Sequence, residues 1–310
     1  MNKLKKIGLT ALGTALVTTA ATAGELSVSG AAKIEFRGQG NKVNQGNGFA
    51  ADNTITFAGS TDLDNGMTVS VSHGYLPSTG GADGSSISID TNGMGALKFE
   101  TNDAAGPVNG TDDMMPHAYE ESWHGLPASS SASPAIGSTG VNAFTYTNSD
   151  LLDGLTVTAY YQPSNGATEL KSTTEYGVTF TGVEGLTVGY ASGTDKGAST
   201  EKDSSTAYAK YAVGSFTIGV QSNSTDSTGT DSDFSAAGVS YAVNEDITVS
   251  YNTSKRDKEG TNDDQEASAI GISYTNGGIT IGAHSATIDN ANGTATADHK
   301  VYELGFTFAF

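Results

Sequence analysis

The sequence predicts an all-β protein, a transmembrane antiparallel up-and-down β-barrel of about 16 strands. Three observations carry this. From residue 26 to the last residue, segment after segment carries apolar residues at every second position, the period of a strand rather than a helix. The positions between them hold Thr, Ser, Gly, Gln and an occasional charge, so each segment has one apolar and one polar face. The connections alternate between tight turns and long polar loops. A closed sheet of ~16 strands encloses more space than side chains fill, so its polar face lines water and its apolar face meets lipid.

The elements follow in order. Leu26, Val28, Gly30, Ala32, Ile34 and Phe36 share one face of the first strand, and Ser27, Ser29, Ala31, Lys33, Glu35 and Arg37 the other. The pattern returns at Ile55–Phe57, Met67–Val71, Ile87–Ile89, Leu97–Phe99, Phe144–Tyr146, Leu155–Tyr161 and Tyr176–Phe180. It continues through Leu186–Tyr190, Tyr211–Val213, Phe216–Val220, Val239–Val243, Ile247–Tyr251, Ile270–Tyr274 and Ile279–Ile281. The last strand carries Tyr302, Leu304, Phe306, Phe308 and Phe310. Strands of roughly 9–11 residues suit a tilted crossing of the bilayer. Tight turns fall at 61–66, 91–95, 149–154, 182–185, 213–215, 243–246 and 275–278. Long loops fall at 38–52, 77–85, 102–140, 163–171, 194–203, 223–232, 255–265 and 289–297. Tyr161, Tyr190, Tyr211, Tyr251 and Tyr274 lie near strand ends, where aromatic girdles sit at membrane interfaces.

Composition sets limits on function. With no cysteine there is neither a disulfide framework nor a thiolate metal site. A formal charge of -19, from 15 basic and 34 acidic residues, excludes binding to nucleic acid through phosphates. Lys3, Lys5 and Lys6, the apolar run from Ile7 to Ala21 and the small residues Ala21-Thr22-Ala23 predict a signal peptide over 1–23. The barrel is then expected over 24–310, and losing three lysines takes the charge from -19 to -22. After Gly24 no apolar run is long enough for a membrane helix.

The signal peptide, the hairpin rhythm, the stretch "SISIDTNGMGALKFETNDAAG" (86–106) and the closing "VYELGFTFAF" together resemble Gram-negative outer-membrane porins. The likeness covers 24–310 and is nearest to the trimeric, alphaproteobacterial type. It implies a channel for passive diffusion of ions and small hydrophilic solutes in the outer membrane, and no enzyme. It also implies a homotrimer, with small outward residues such as Gly30 and Ala32 allowing close packing of barrels. Tyr302, Leu304, Phe306, Phe308 and Phe310 correspond to the aromatic strand read by the barrel-assembly machinery. Lipid and lipopolysaccharide are the implied surroundings.

In that family the third long loop folds into the lumen and narrows it. Here the third long loop is also the longest, and a loop of that length is usually functional. It holds the candidate constriction acids Asp112, Asp113, Glu120 and Glu121, with no Lys or Arg between residues 99 and 170. "PHAYEESWHGLP" (116–127) suits a short helix starting at Pro116 and ending at Gly125. The "PEFGG" tip of enteric porins is absent. Strand parity places Lys33, Glu35, Arg37, Lys98, Glu100, Glu175, Lys210 and Glu303 on the pore wall. The chain's only arginines are Arg37 and Arg256, so the family's basic ladder is thin. Four loop acids face four bases, and Glu35, Glu100 and Glu175 tip the local sum negative, which predicts a preference for cations.

Two other chemistries fit parts of the sequence. His117, Glu120 and His124 at i, i+3 and i+7 fall on one face of a helix and could hold zinc. The acidic runs "STDSTGTDSD" (224–233) and "GTNDDQE" (260–266) suggest Ca2+ or Mg2+ at the loops, or a secreted calcium-binding β-rich adhesin. No G-G-x-G-x-D repeat supports the adhesin.

Overall fold

The computed structural model describes residues 25–40, 48–76, 81–102, 104–111, 113–124, 142–164, 172–196, 201–228, 231–261 and 263–310. The expected signal peptide, 1–23, lies outside them. The strands are β1 (Glu25–Gln39), β2 (Phe49–Asp62), β3 (Thr68–Leu76), β4 (Gly81–Asp90), β5 (Ala96–Glu100), β6 (Ala143–Leu152), β7 (Leu155–Gln162) and β8 (Thr173–Val183). They continue as β9 (Leu186–Asp195), β10 (Lys202–Val213), β11 (Phe216–Ser227), β12 (Ser232–Ala242), β13 (Ile247–Lys258), β14 (Gln265–Asn276), β15 (Ile279–Asp289) and β16 (His299–Ala309). Each pairs antiparallel with its neighbours in sequence, and β1 pairs with β16 to close the barrel.

Alternation decides which side chain meets which solvent. Leu304, Phe306, Phe308 and Phe310 point outward and are about half exposed, as are Ile270 and Ile272 on β14. All five of the expected girdle tyrosines point outward. Tyr161 lies at the long-loop end of β7, Tyr211 and Tyr274 lie close to the tight turns that end β10 and β14, and Tyr190 and Tyr251 are each the fifth residue after the tight turn that opens β9 and β13. The tight turns use left-handed backbone where the sequence supplies glycine: φ is 73° at Gly154 and 76° at Gly185.

Strand lengths depart from the expected 9–11 residues. β1 has 15 and β5 only 5. The loops expected at 194–203, 223–232 and 255–265 shrink to the residues between β9 and β10, β11 and β12, and β13 and β14. Polar segments such as Asn223–Ser227 pair as strand because the hydrogen-bond ladder continues beyond the apolar band. Backbone pairing does not depend on the outward side chain being apolar. At β5 the opposite happens: the wall stops early because the chain turns into the lumen after Glu100.

Closure ends on one residue pair. The Gly30 N–H donates to the Phe310 carbonyl (2.9 Å), and the Phe310 N–H donates to the Gly30 carbonyl (3.0 Å). The Phe310 ring stacks beside Phe308 and lies where a side chain on Gly30 would be. The small residue at Gly30, expected to make room for a neighbouring barrel, instead makes room for the chain's own last ring.

Candidate functional site

In the third long connection, the described residues 104–111 and 113–124 run inside the barrel, and the wall holds them by side chains of inward parity. The Val108 N–H donates to Glu175 Oε2 on β8 (2.9 Å). The Thr111 carbonyl accepts from Thr206 Oγ1 on β10 and from Gln221 Nε2 on β11, both at 3.0 Å. The Met114 N–H donates to Gln221 Oε1 (2.8 Å) and the Ala118 N–H to Ser250 Oγ on β13 (2.8 Å). The Ser122 N–H donates to Asn252 Oδ1 (2.6 Å), and the Tyr119 hydroxyl reaches Glu303 on β16 (3.2 Å). The loop therefore follows the wall past β8, β10, β11 and β13 to β16.

Its backbone comes close because the wall lacks side chains where it passes. Pro107 rests on Gly177, Pro116 on Gly219 and Gly238, and the Tyr119 ring on Gly282 and Gly305. Met115 and Trp123 pack with Phe234 and Ala236 in a small apolar cluster inside the barrel. A branched side chain at Gly282 overpacks the Tyr119 seat, a cost of about 1–3 kcal/mol. Gly282→Val is thus expected to lower the temperature at which the folded band is lost on gels and to lower single-channel conductance as the loop is pushed off the wall into the water path. Gly110→Ala, in open space within the same loop, serves as the neutral control.

Residues 119–124 meet a charged cluster on β1 and β16. Lys33 Nζ lies 2.8 Å from Glu35 and 3.6 Å from Glu120, and over the Tyr119 ring. Arg37 Nε donates to Glu303 (2.8 Å) and its terminal nitrogen lies 3.6 Å from Glu35. His124 Nδ1 is 3.2 Å from Glu120, while its Nε2 is 2.9 Å from Arg37 and 3.4 Å from Glu303. His284, buried on β15, lies beside both Tyr119 and His124. Neutral His124 accepts from Arg37 at Nε2; protonated, it donates to Glu303 instead. Burial works against the His124 cation, but the hydrogen bond to Glu303 and the charges of Glu120 and Glu303 prevail. The pKa lies above the ordinary imidazole value. Burial raises that of Glu120.

The expected site residues thus divide. Lys33, Glu35, Arg37 and Glu120 come together beside residues 119–124. Glu175 is almost wholly buried, as the acceptor for Val108, and anchors the loop instead of facing water. Glu121 is also buried and turns to His117 (2.9 Å) rather than to the wall bases. Burial disfavours its charge, yet the hydrogen bond and charge of His117 hold its pKa down at about 2. Lys98 pairs with Glu100 at 2.5 Å on β5, and Lys210 lies against Tyr208 on β10. Asp113 is exposed beside His117; Asp112 lies outside the described residues. The helix expected from Pro116 does not form over 116–124, because the Ala118 and Ser122 N–H groups are taken by the wall. The zinc triad His117, Glu120 and His124 is accordingly not assembled. Sequence reasoning missed Tyr119 and the glycine seats, although a glycine at an inward strand position signals the close approach of another backbone.

A closed 16-stranded barrel with apolar residues outward, polar residues inward and a loop pinned in its lumen is a membrane channel fold. The family described as Gram-negative porin matches residues 8–276, and the chain belongs to that family. Among solved structures, OmpT, an outer membrane protein of Vibrio cholerae, superposes with a TM-score of 0.72 at 13% identity, covering 95% of this chain and 99% of that one. A porin refined at 1.8 Å matches with 0.71 at 17%, covering 92% and 100%. A mutant of Rh. blastica porin matches with 0.70 at 14%, covering 92% and 100%. OmpT also appears in a trimer form. No curated protein matches the sequence. The protein is an outer-membrane channel, crossing the bilayer many times as a β-barrel. That finding sets aside the secreted adhesin.

Proposed function

We propose that the barrel is a passive diffusion channel for ions and small hydrophilic solutes, with a preference for cations. The observation that carries this is a loop pinned along the inner wall of a barrel whose inward side chains are polar, an arrangement that narrows a water-filled lumen. Around residues 119–124 Lys33 and Arg37 supply two positive charges and Glu35, Glu120 and Glu303 three negative ones, a sum of -1 with His124 neutral. Asp113 and Glu121 add to the negative side. Distant loop acids count for little, because the Debye length is ~8 Å at about 0.15 M salt.

The working unit is a homotrimer, a reading supported by the family and by the trimer form of a structural neighbour. Lipopolysaccharide surrounds it, bridged by Ca2+ or Mg2+ at the outer acidic loops. The closing strand is the address for the barrel-assembly machinery. Liposome swelling tests the diffusion reading. Vesicles carrying the protein are expected to swell in small sugars, at rates falling steeply with solute size. Rates equal to those of protein-free vesicles overturn it.

A further inference from the structure

We propose that Asp113, Met115, His117 and Glu121 of the lumenal loop form a binding site for a divalent transition-metal ion of the zinc class. Three side chains four residues apart converge there: one ligand atom each from Asp113, His117 and Glu121 lies within 4.8 Å of the others. The Nδ1 atom of His117 is 2.9 Å from Glu121 Oε1 and 3.0 Å from the Met115 carbonyl oxygen. Two ligands of a tetrahedral ion, each ~2.1 Å from it, lie ~3.4 Å apart, so the ion needs these groups to spread by only about half an ångström. The four groups offer one nitrogen and three oxygens.

Second, the backbone bearing these groups is already fixed. Met114 is tied to Gln221, Pro116 seats on Gly219 and Gly238, Ala118 is tied to Ser250 and Ser122 to Asn252. The Met115 side chain is buried against Trp123 and Phe234, which aims its carbonyl. An ion therefore meets ligands that need little ordering. Third, Glu121 is only 6% exposed, and a second carboxylate, Asp113, comes close to it. No Lys or Arg occurs between residues 99 and 170, so the segment brings no base of its own. Two carboxylates and an imidazole give a charge of -2 that a divalent ion cancels.

The donor set selects the metal class. An imidazole nitrogen suits zinc and its neighbours, whereas Ca2+ wants six to eight oxygens and Mg2+ keeps its waters. A second group, Glu120, Glu121 and His124, shares Glu121 but has Lys33 beside Glu120 and Arg37 beside His124, whose charges repel a cation. Occupancy of the Asp113 site removes two negative charges from the lumenal loop. Its effect on current rests on the channel reading; the binding itself does not.

The test is equilibrium dialysis of the purified, folded protein against ZnCl2, with MgCl2 in parallel. One saturable Zn2+ per chain is expected, undiminished by millimolar Mg2+. His117→Ala should weaken it at least about a hundredfold, beyond the 10–100-fold typical of losing a mere supporting group. Asp113→Asn, at an exposed position, should weaken it while keeping the heat-modifiable band that marks a folded barrel. His124→Ala should leave it within about threefold. The proposal is overturned if the wild type binds no Zn2+, if binding survives both His117→Ala and Asp113→Asn in folded protein, or if His124→Ala abolishes it. Dialysis reads binding without current, so a barrel that binds Zn2+ but conducts nothing would contradict only the channel reading.

Discussion

Deletion of Phe310 is expected to reduce folded barrel in the outer membrane by about tenfold or more, with synthesis and export unchanged. The residue supplies both hydrogen bonds of the last pair with Gly30. Two such bonds contribute about 1–3 kcal/mol together, and 1–2 kcal/mol shifts a folding equilibrium 5–30-fold. Deletion leaves Gly30's N–H and carbonyl unpaired near lipid, where unsatisfied backbone is costly. It also uncovers the strand edge that closure conceals. Phe310→Asp keeps the backbone bonds but places a carboxylate where a ring now covers Gly30. It should therefore fail less completely than the deletion, and Phe310→Tyr should assemble nearly as the wild type does. Heat-modifiable protein in outer-membrane fractions measures all three. Normal amounts for both deletion and Asp variant would remove the closing role.

The second large effect concerns selectivity. Glu120→Gln should lower the cation preference by about threefold. Removing a unit charge ~6 Å from the ion path changes an ion's energy in water by ~0.7 kcal/mol, which is that factor in local concentration. Asp113→Asn adds to it, and both effects should shrink in concentrated salt. Acid should act in the same direction. As pH falls through the raised value of His124, the cluster of Lys33, Arg37, Glu35, Glu120 and Glu303 goes from -1 to 0. The raised Glu120 carboxyl loses its charge at lower pH still. His124→Gln should therefore flatten the upper part of the pH profile. A cation preference indifferent to Glu120→Gln, or one growing on acidification, would show that the cluster is not the filter.

The barrel was legible in the sequence because its cause is simple: lipid outside and water inside force a period of two on every strand. Closure was legible from Phe310 and the aromatics before it. Loop limits were less so, since segments such as Lys202–Ser205 pair as strand without apolar marking. The lumenal loop was read least well. Its acids were expected to line the pore together, but burial removed Glu121 and Glu175 to structural partners, a matter of three-dimensional packing. The helix inferred from Pro116 assumed that the loop's N–H groups would find partners within the loop. Ser250 and Asn252 took two of them, and the histidines fell into different groupings. Gly219, Gly238, Gly282 and Gly305 did mark the track at inward positions, and read as close-approach sites they would have placed the loop.

Planar-bilayer recording of the purified protein tests the central claim most directly. The account predicts discrete, ohmic conductance steps and, across a KCl gradient, a zero-current potential of the sign that K+ permeation gives. A bilayer that stays silent at protein levels where the folded band is present would contradict the channel. A potential of the Cl- sign would contradict the charge arrangement that the lumenal loop and the β1–β16 wall create.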